Sequence, residues 1–229
     1  MRLTKQCGTR VRLPILVAFI VGVTAAPHAQ GDDWPAPVIR EVFSPSRAFF
    51  VRVTPGKSIG DTVGFKGAAK GPYATAEFYR REQDTSYRLA VAVTLLNPVA
   101  PADFFVTDRG YLITLDNWHN IGYGKVVAFY TAEGKPLRSY ELSDLFSKSE
   151  IEGFDHSVSS IAWRKSAGSY IRPAGDTFNI TINDKGASFI FELSGAYQYC
   201  ETRQGAFLCR TANQGRTWRG FREPDAGQR

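Results

Sequence analysis

Downstream of residue 29, the chemistry this chain could perform rests on two histidines, two cysteines and a scatter of carboxylates. The most distinctive stretch is Asp116-Asn117-Trp118-His119-Asn120, followed by Gly122 and Gly124. On a glycine-rich hairpin these five residues could present an indole, an imidazole and polar groups to a sugar or peptide, which makes them the candidate ligand-binding residues. Their competing use is structural, with Trp118 packed between sheets while the Asp and Asn side chains brace an irregular turn. Gly56-Lys57-Ser58-Ile59-Gly60 satisfies the G-x-S-x-G pattern of a nucleophile elbow. That motif needs a preceding strand, a following helix and an α/β chain around it. Pro55 precedes it and a strand-like Thr62–Phe65 follows, so the stretch reads as a glycine-rich loop. The same Gly-Lys-Ser is no phosphate loop, because Val51 occupies the leading glycine position.

Asp155-His156-Ser157 sets three triad residue types side by side, but sequence neighbours alternate faces and cannot relay a proton that way. No Cys or His spacing fits a zinc site, and neither a metal nor a cofactor is expected. Glu77, Asp103, Asp108, Asp116 and Glu141 would serve glycoside hydrolysis only if two of them converged in space. No residue is assigned a catalytic role on the sequence alone.

The elements that must position these groups begin after a targeting segment. Residues 1–12 carry Arg2, Lys5, Arg10 and Arg12 without an acid; an apolar run Leu13–Ala26 and the small-residue stretch Ala25-Ala26-Pro27-His28-Ala29 follow. That order predicts a secretory signal peptide over 1–29, cleaved after Ala25 or Ala29. An uncleaved anchor is disfavoured, because the apolar run would extend roughly 21 Å against a hydrocarbon layer of ~30 Å. Cys7 leaves with the signal, and Cys200 and Cys209 remain. An even pair in an exported chain reads as a disulfide, and a hairpin turning at Gln204-Gly205 sets Cys200 opposite Cys209. Charge changes meaning too. The formal +6 comes from 28 basic and 22 acidic side chains; taking away the four basic residues of the signal leaves 24 against 22. Nucleic-acid binding loses its main support, and no stable membrane span is expected after cleavage.

Gly (21) and Pro (12) punctuate the chain at a density that suits short strands. Residues 30–48 read as an extended N-terminal segment and 49–229 as a single all-β domain. Alternating apolar runs predict strands near 49–53, 62–67, 75–81, 87–95, 103–108, 111–117, 125–132, 136–142, 159–165, 177–184, 187–194, 196–202, 207–211 and 217–221. One short helix is predicted from Asp144 to Phe154, with Ser143 as its N-cap.

Tyr111–Asn117 aligns with Phe178–Asp184: Ile113 matches Ile180 and Leu115 matches Ile182 on one face, Thr114 matches Thr181 on the other. Each segment is followed by an apolar strand, a turn glycine (Gly134 or Gly195) and another strand, which is how a propeller blade repeats. The 67-residue offset exceeds one blade of about 40–50 residues, so a helix-containing insertion or an extra strand pair must lie between the two. Phe104–Asp116 followed by Lys125–Leu137 resembles a blade of the NHL-type β-propellers, with a weaker match near 176–199. Thr211–Trp218 is similar to the Asp-box of sialidase-like propellers, with Asn213 in place of the central acid. In that family the box is a structural turn, so the resemblance implies roles for Asn213, Gly215 and Trp218 in folding rather than catalysis. The sialidase arginines and nucleophilic tyrosine have no counterpart motif here. A small or partial propeller, or a two-sheet β-sandwich, follows.

Two functional readings come out of this. The first is an exported, periplasmic or secreted, non-catalytic module binding a protein or glycan partner through loops on the β scaffold. The alternative is a small carboxylate-dependent hydrolase acting on glycans or esters. Two carboxylates meeting in one concavity would discriminate between them.

Overall fold

The computed structural model describes residues 34–83, 86–171, 177–182, 186–203, 206–211 and 219–220. Within them, strands pair antiparallel with their sequence neighbours in three successive meanders. The first sheet runs β1 (Arg40–Phe43), β2 (Phe49–Thr54), β3 (Thr75–Arg81), β4 (Tyr87–Thr94). The second runs β5 (Pro101–Val106), β6 (Leu112–Asn117), β7 (Val127–Tyr130), β8 (Pro136–Tyr140). The third runs β9 (Arg164–Ile171), β10 (Thr177–Ile182), β11 (Ala187–Glu192), β12 (Tyr197–Arg203), β13 (Ala206–Thr211), β14 (Arg219–Gly220). Consecutive up-and-down sheets of this kind make an all-β, propeller-like fold.

The second sheet lies between the other two, and the period-two pattern of its strands explains how. Leu112, Ala128 and Tyr130 point to one side, where they pack with Val51, Val53, Ala76 and Phe78 of the first sheet. Ile113, Leu115, Val127 and Phe129 point to the other side and meet Phe178, Ile180, Ile182, Phe189 and Phe191 of the third. All six residues of β6 and all four of β7 are therefore buried. Each fully buried aliphatic or aromatic side chain contributes about 1.5–3 kcal/mol of transfer free energy, which makes these two interfaces the main source of cohesion. β6 and β10 hold the same place in their sheets, each second from an edge. Two short helices and a loop separate β8 from β9.

The structure corrects three elements. The helix predicted over 144–154 is two helices, α1 (Leu142–Leu145) and α2 (Lys148–Glu152), capped at Glu141 and Ser147 rather than Ser143. Phe146 breaks the run: its backbone is extended, and its ring turns inward against Phe154, Trp163 and Phe189. The strand predicted over 62–67 is instead a series of tight turns after a 3-10 turn at Ile59–Asp61, with Gly64 and Gly67 at φ 88° and 96°. The strand predicted over 159–165 begins only at Arg164, because Ile161 and Ala162 bond to Ile121 and Asp155 in a loop. β1 forms within the segment read as an extended N-terminal stretch.

Cys200 pairs with Cys209 across β12 and β13, with Cα atoms 4.1 Å apart, and the two sulfurs are bonded. A disulfide suits an oxidising compartment. The expected signal peptide, the Gln204-Gly205 turn and the Asn213, Gly215 and Trp218 box lie outside the described residues. Among the described residues, no helix is long and apolar enough to cross a membrane.

Candidate functional site

β6 ends in an unusual way. Asp116 adopts φ 52°, in the left-handed region that aspartate tolerates better than most residues. This turns its carboxylate under the β6–β7 loop. One oxygen accepts from the Gly122 amide (2.8 Å) and the Trp163 indole Nε1 (2.9 Å), and the other from Arg164 Nε (2.7 Å). Gly122 has φ 81°, and a Cβ there would lie 2.7 Å from Ile161 Cβ, so only glycine brings that amide to the carboxylate. Arg164 Nη2 donates to Asp103 on β5 (2.8 Å), and Arg40 at the start of β1 donates to the Ala102 carbonyl (2.7 Å). A polar chain thus ties the first strands of all three sheets together.

Burial pushes the Asp116 carboxyl above the ordinary aspartate value, while Arg164, Gly122 and Trp163 pull the other way. Three N–H donors on two oxygens are complementary to the anion, since a carboxylic acid would have to give one oxygen a proton. Burial works to lower the Arg164 pKa, but Asp116 and Asp103 outweigh it and raise the value. Asp116 is fully buried, so its place is beneath the surface rather than at it.

The other four predicted residues part company. Asn117 receives Asn97 Nδ2 on its carbonyl (2.8 Å) and donates to the Tyr123 carbonyl (2.8 Å). Asn120 donates to the carbonyls of Val63 (3.1 Å) and Ser159 (3.3 Å), fastening two neighbouring loops. Trp118 gives its indole N–H to the Pro35 carbonyl (2.9 Å). His119, at φ 66°, sits among the rings of Trp34, Phe65 and Trp118 with centroids 4.8–5.9 Å away. Asn117 and Asn120 line a cavity of about 150 Å³; Asp116, Trp118 and His119 do not.

Sequence reasoning missed what lines the rest of that cavity. Asp61 comes from the β2–β3 connection, Tyr123 and Lys125 from the β6–β7 loop, and Glu141 from the turn between β8 and α1. Glu141 pairs with Lys125 Nζ at 2.8 Å, and both side chains keep solvent access. Asp61 pairs with Lys70 and accepts from the Ser58 hydroxyl (2.6 Å). The hydrogen bond from Lys70, then that from Ser58, holds the Asp61 carboxyl below the ordinary aspartate range. Ser58 of the G-x-S-x-G stretch is therefore buried and spent on a loop. No linear spacing signals this set; only the two-residue step from Tyr123 to Lys125 is local.

The remaining carboxylates considered from sequence serve other purposes. Glu77 joins Arg52 and Tyr79, while Asp108 accepts from the Ser46 amide and hydroxyl. His156 meets the Ile151 carbonyl at 3.0 Å. A larger open groove of about 600 Å³ runs past Arg138, Asp144, Glu192 and Tyr197. Its tyrosine hydroxyls are committed to backbone carbonyls, Tyr140 to Gly195 and Tyr197 to Asp144, whereas the smaller cavity gathers charged side chains from three separate connections. Among the described residues no cluster of three or more His, Cys, Asp or Glu could hold a metal ion.

All-β and propeller-like is the class that these sheets define. No protein-family model matches the chain, and no curated protein matches it. Among solved structures it is similar to the periplasmic gluconolactonase of Pseudomonas aeruginosa, at 13% identity and a TM-score of 0.36, covering 82% of this chain and 58% of that one. The chain thus spans less than two thirds of that protein's length. The structure found is named a gluconolactonase, which stands against the expectation of a non-catalytic binding module. Asp61, Tyr123, Lys125 and Glu141 are dispersed along the sequence and come to one cavity only through the fold, which is why no set of them stood out among the residues.

Proposed function

We propose that this chain is an exported hydrolase cleaving esters or glycans in the cavity walled by Asp61, Tyr123, Lys125 and Glu141. One observation carries the reading: two carboxylates from separate loops, each held by a lysine, line one concavity together with a phenol and two amides. Glu141 is the general base, taking a proton from the attacking water. Lys125, beside it, offers positive charge to the oxyanion that develops as the water adds to an ester carbonyl. The protonated Glu141 then returns its proton to the leaving alkoxide as the C–O bond breaks; in a glycan the same protonated Glu141 would serve the leaving oxygen. Asp61, kept ionised by Lys70 and Ser58, fixes the field of the opposite wall and is unsuited to donating a proton. Asn117 and Asn120 hold the loop that carries Tyr123 and Lys125, and the Asp116–Arg164 pair anchors that loop from below. Cleavage of residues 1–29 would deliver the domain at 49–229 to the periplasm or the outside, where the disulfide persists.

The test is turnover of p-nitrophenyl acetate, a six-membered lactone and p-nitrophenyl glycosides by the disulfide-intact protein. Glu141→Gln should lower kcat by about 10²–10⁴, the range of a lost general base, with KM little changed. Absence of turnover above the uncatalysed rate across the whole panel removes the proposal.

A further inference from the structure

We infer that the mouth of this cavity receives an aliphatic chain, so that the substrate of the proposed hydrolase is an acyl ester rather than a glycoside. The inference rests on the hydrolase reading for its chemistry but on separate residues for its observation. Val63, Leu96 and Val158 are 50%, 39% and 77% exposed, which leaves three branched aliphatic side chains in water on the loops around the cavity. Val63 and Leu96 line the cavity itself, beside Pro98. Val158 precedes Ser159, whose carbonyl shares the Asn120 Nδ2 donor with that of Val63, so the loop that carries Val158 is tied to the one that carries Val63. The result is an apolar lip beside a polar floor.

The alternative substrate class is less well served. Sugar rings are bound by open aromatic faces that present hydrophobic area beside hydrogen-bonding groups. At this end of the sheets the rings of Trp34, Phe65 and Trp118 each pack against His119. Trp118 has also given its N–H to Pro35. Tyr123 is the single aromatic residue lining the cavity among the described residues. A volume of about 150 Å³ suits an ester group and the first few carbons beyond it. A longer chain must lie outside, along Leu96, Val63 and Val158. Size, polarity and lip together select a ligand that is polar at one end and aliphatic at the other.

The experiment compares p-nitrophenyl acetate, butyrate and octanoate on the wild-type chain, on the Val63→Ser/Leu96→Ser double variant and on Val158→Ser. Direct binding of decanoate is measured by calorimetry, and the oligomeric state by light scattering. A fully sheltered methylene is worth about fourfold. On an open lip we expect kcat/KM to rise at least tenfold from acetate to octanoate. The octanoate-to-acetate ratio should fall at least fivefold in the double variant and about twofold in Val158→Ser, with decanoate affinity falling in parallel. Equal turnover of acetate and octanoate, with no decanoate binding, overturns the aliphatic mouth and leaves the hydrolase reading intact. Decanoate binding that the lip variants abolish, without turnover of any ester, keeps the aliphatic mouth and removes the hydrolase. Glycoside turnover with ester inactivity overturns the choice of substrate. A dimer that dissociates in the lip variants assigns the lip to a second copy and overturns the inference.

Discussion

Replacing Arg164 by methionine leaves Asp116 in place with its charge uncompensated. In the native chain the Asp116 side chain is 0% exposed and that of Arg164 3%, so neither can recover lost interactions from water. Arg164→Met keeps the aliphatic bulk and removes the guanidinium, leaving Asp116 with the Gly122 and Trp163 donors alone. Asp103, at 38% exposure, can rehydrate and adds little. Stranding one member of a buried ion pair costs about 3–5 kcal/mol, a large part of the ~5–15 kcal/mol that holds a domain folded. The deficit should depend on pH. Burial already raises the Asp116 carboxyl above its ordinary 3.8, and losing Arg164, which pulls it down, raises it further. A carboxyl with a raised folded pKa binds more protons in the folded state, so the stability it contributes is present at low pH and is lost as pH rises towards the folded pKa. Variant and wild type should therefore lie close at pH 4 and diverge towards pH 7. Urea unfolding followed by circular dichroism at several pH values measures this. Adding Asp116→Asn to Arg164→Met removes the stranded charge and should recover part of the loss at pH 7. A deficit below about 1 kcal/mol at pH 7, or one of equal size at pH 4 and pH 7, would refute the account of Asp116 as a buried anion held by Arg164.

Two further outcomes test the scaffold around the site. Burial pushes the Tyr130 phenol up to about 12, while an unfolded tyrosine ionises near 10, so stability is retained below pH 10 and falls as pH climbs to 12. At about 1.4 kcal/mol per unit this is a loss of about 2.7 kcal/mol. Tyr130→Phe should remove that part of the alkaline slope, at the expense of the bond that the Tyr130 hydroxyl accepts from the Leu96 amide. An unchanged slope in alkaline urea titrations would count against it. Reducing Cys200–Cys209, which closes a separation of nine residues, should cost about 2.5 kcal/mol by loop entropy. A dithiothreitol-induced drop in Tm of several degrees is the expected reading, and no shift would mean that the hairpin register alone sets the local stability.

Much of the fold could be read from the residues because it depends on local rules. The alternation in Leu112–Asn117 and Thr177–Ile182 fixes two strands and their inward faces, and pairing outward from residues 204–205 sets Cys200 against Cys209. The errors came where tertiary packing overrode local preference. Val63 and Phe65 read as strand residues, but Gly64 and Gly67 take positive φ and coil the segment into turns. The helix over 144–154 splits because Phe146 is more valuable in the aromatic cluster than in a helical turn. The box Ser147-x-x-Glu150 marked the second helix start all along, since Ser147 accepts from the Glu150 amide and Glu150 accepts from that of Ser147.

The candidate site was less legible, and the reason is physical. Residue type drew attention to Trp118 and His119, which the fold uses to bind the Trp34–Pro35 segment and the Phe65 loop. Arg164 belongs to no motif in the sequence; β9 sends its side chain inward, where it joins Asp116 to Asp103. Asp61 and Glu141 are separated by the whole of β3 to β8, and no spacing rule relates them. They line one cavity because the β2–β3 connection, which carries Asp61 in its 3-10 turn, and the turn after β8, which carries Glu141, come together in the fold regardless of sequence distance. A meander places its chemistry at the ends of strands that are remote in sequence. The legible feature is then the scaffold, and the candidate groups are found by asking which polar residues sit one or two positions beyond each strand end. Applied to this chain, that rule selects Lys125 before β7 and Glu141 after β8, two of the four chemical groups in the cavity, without any motif.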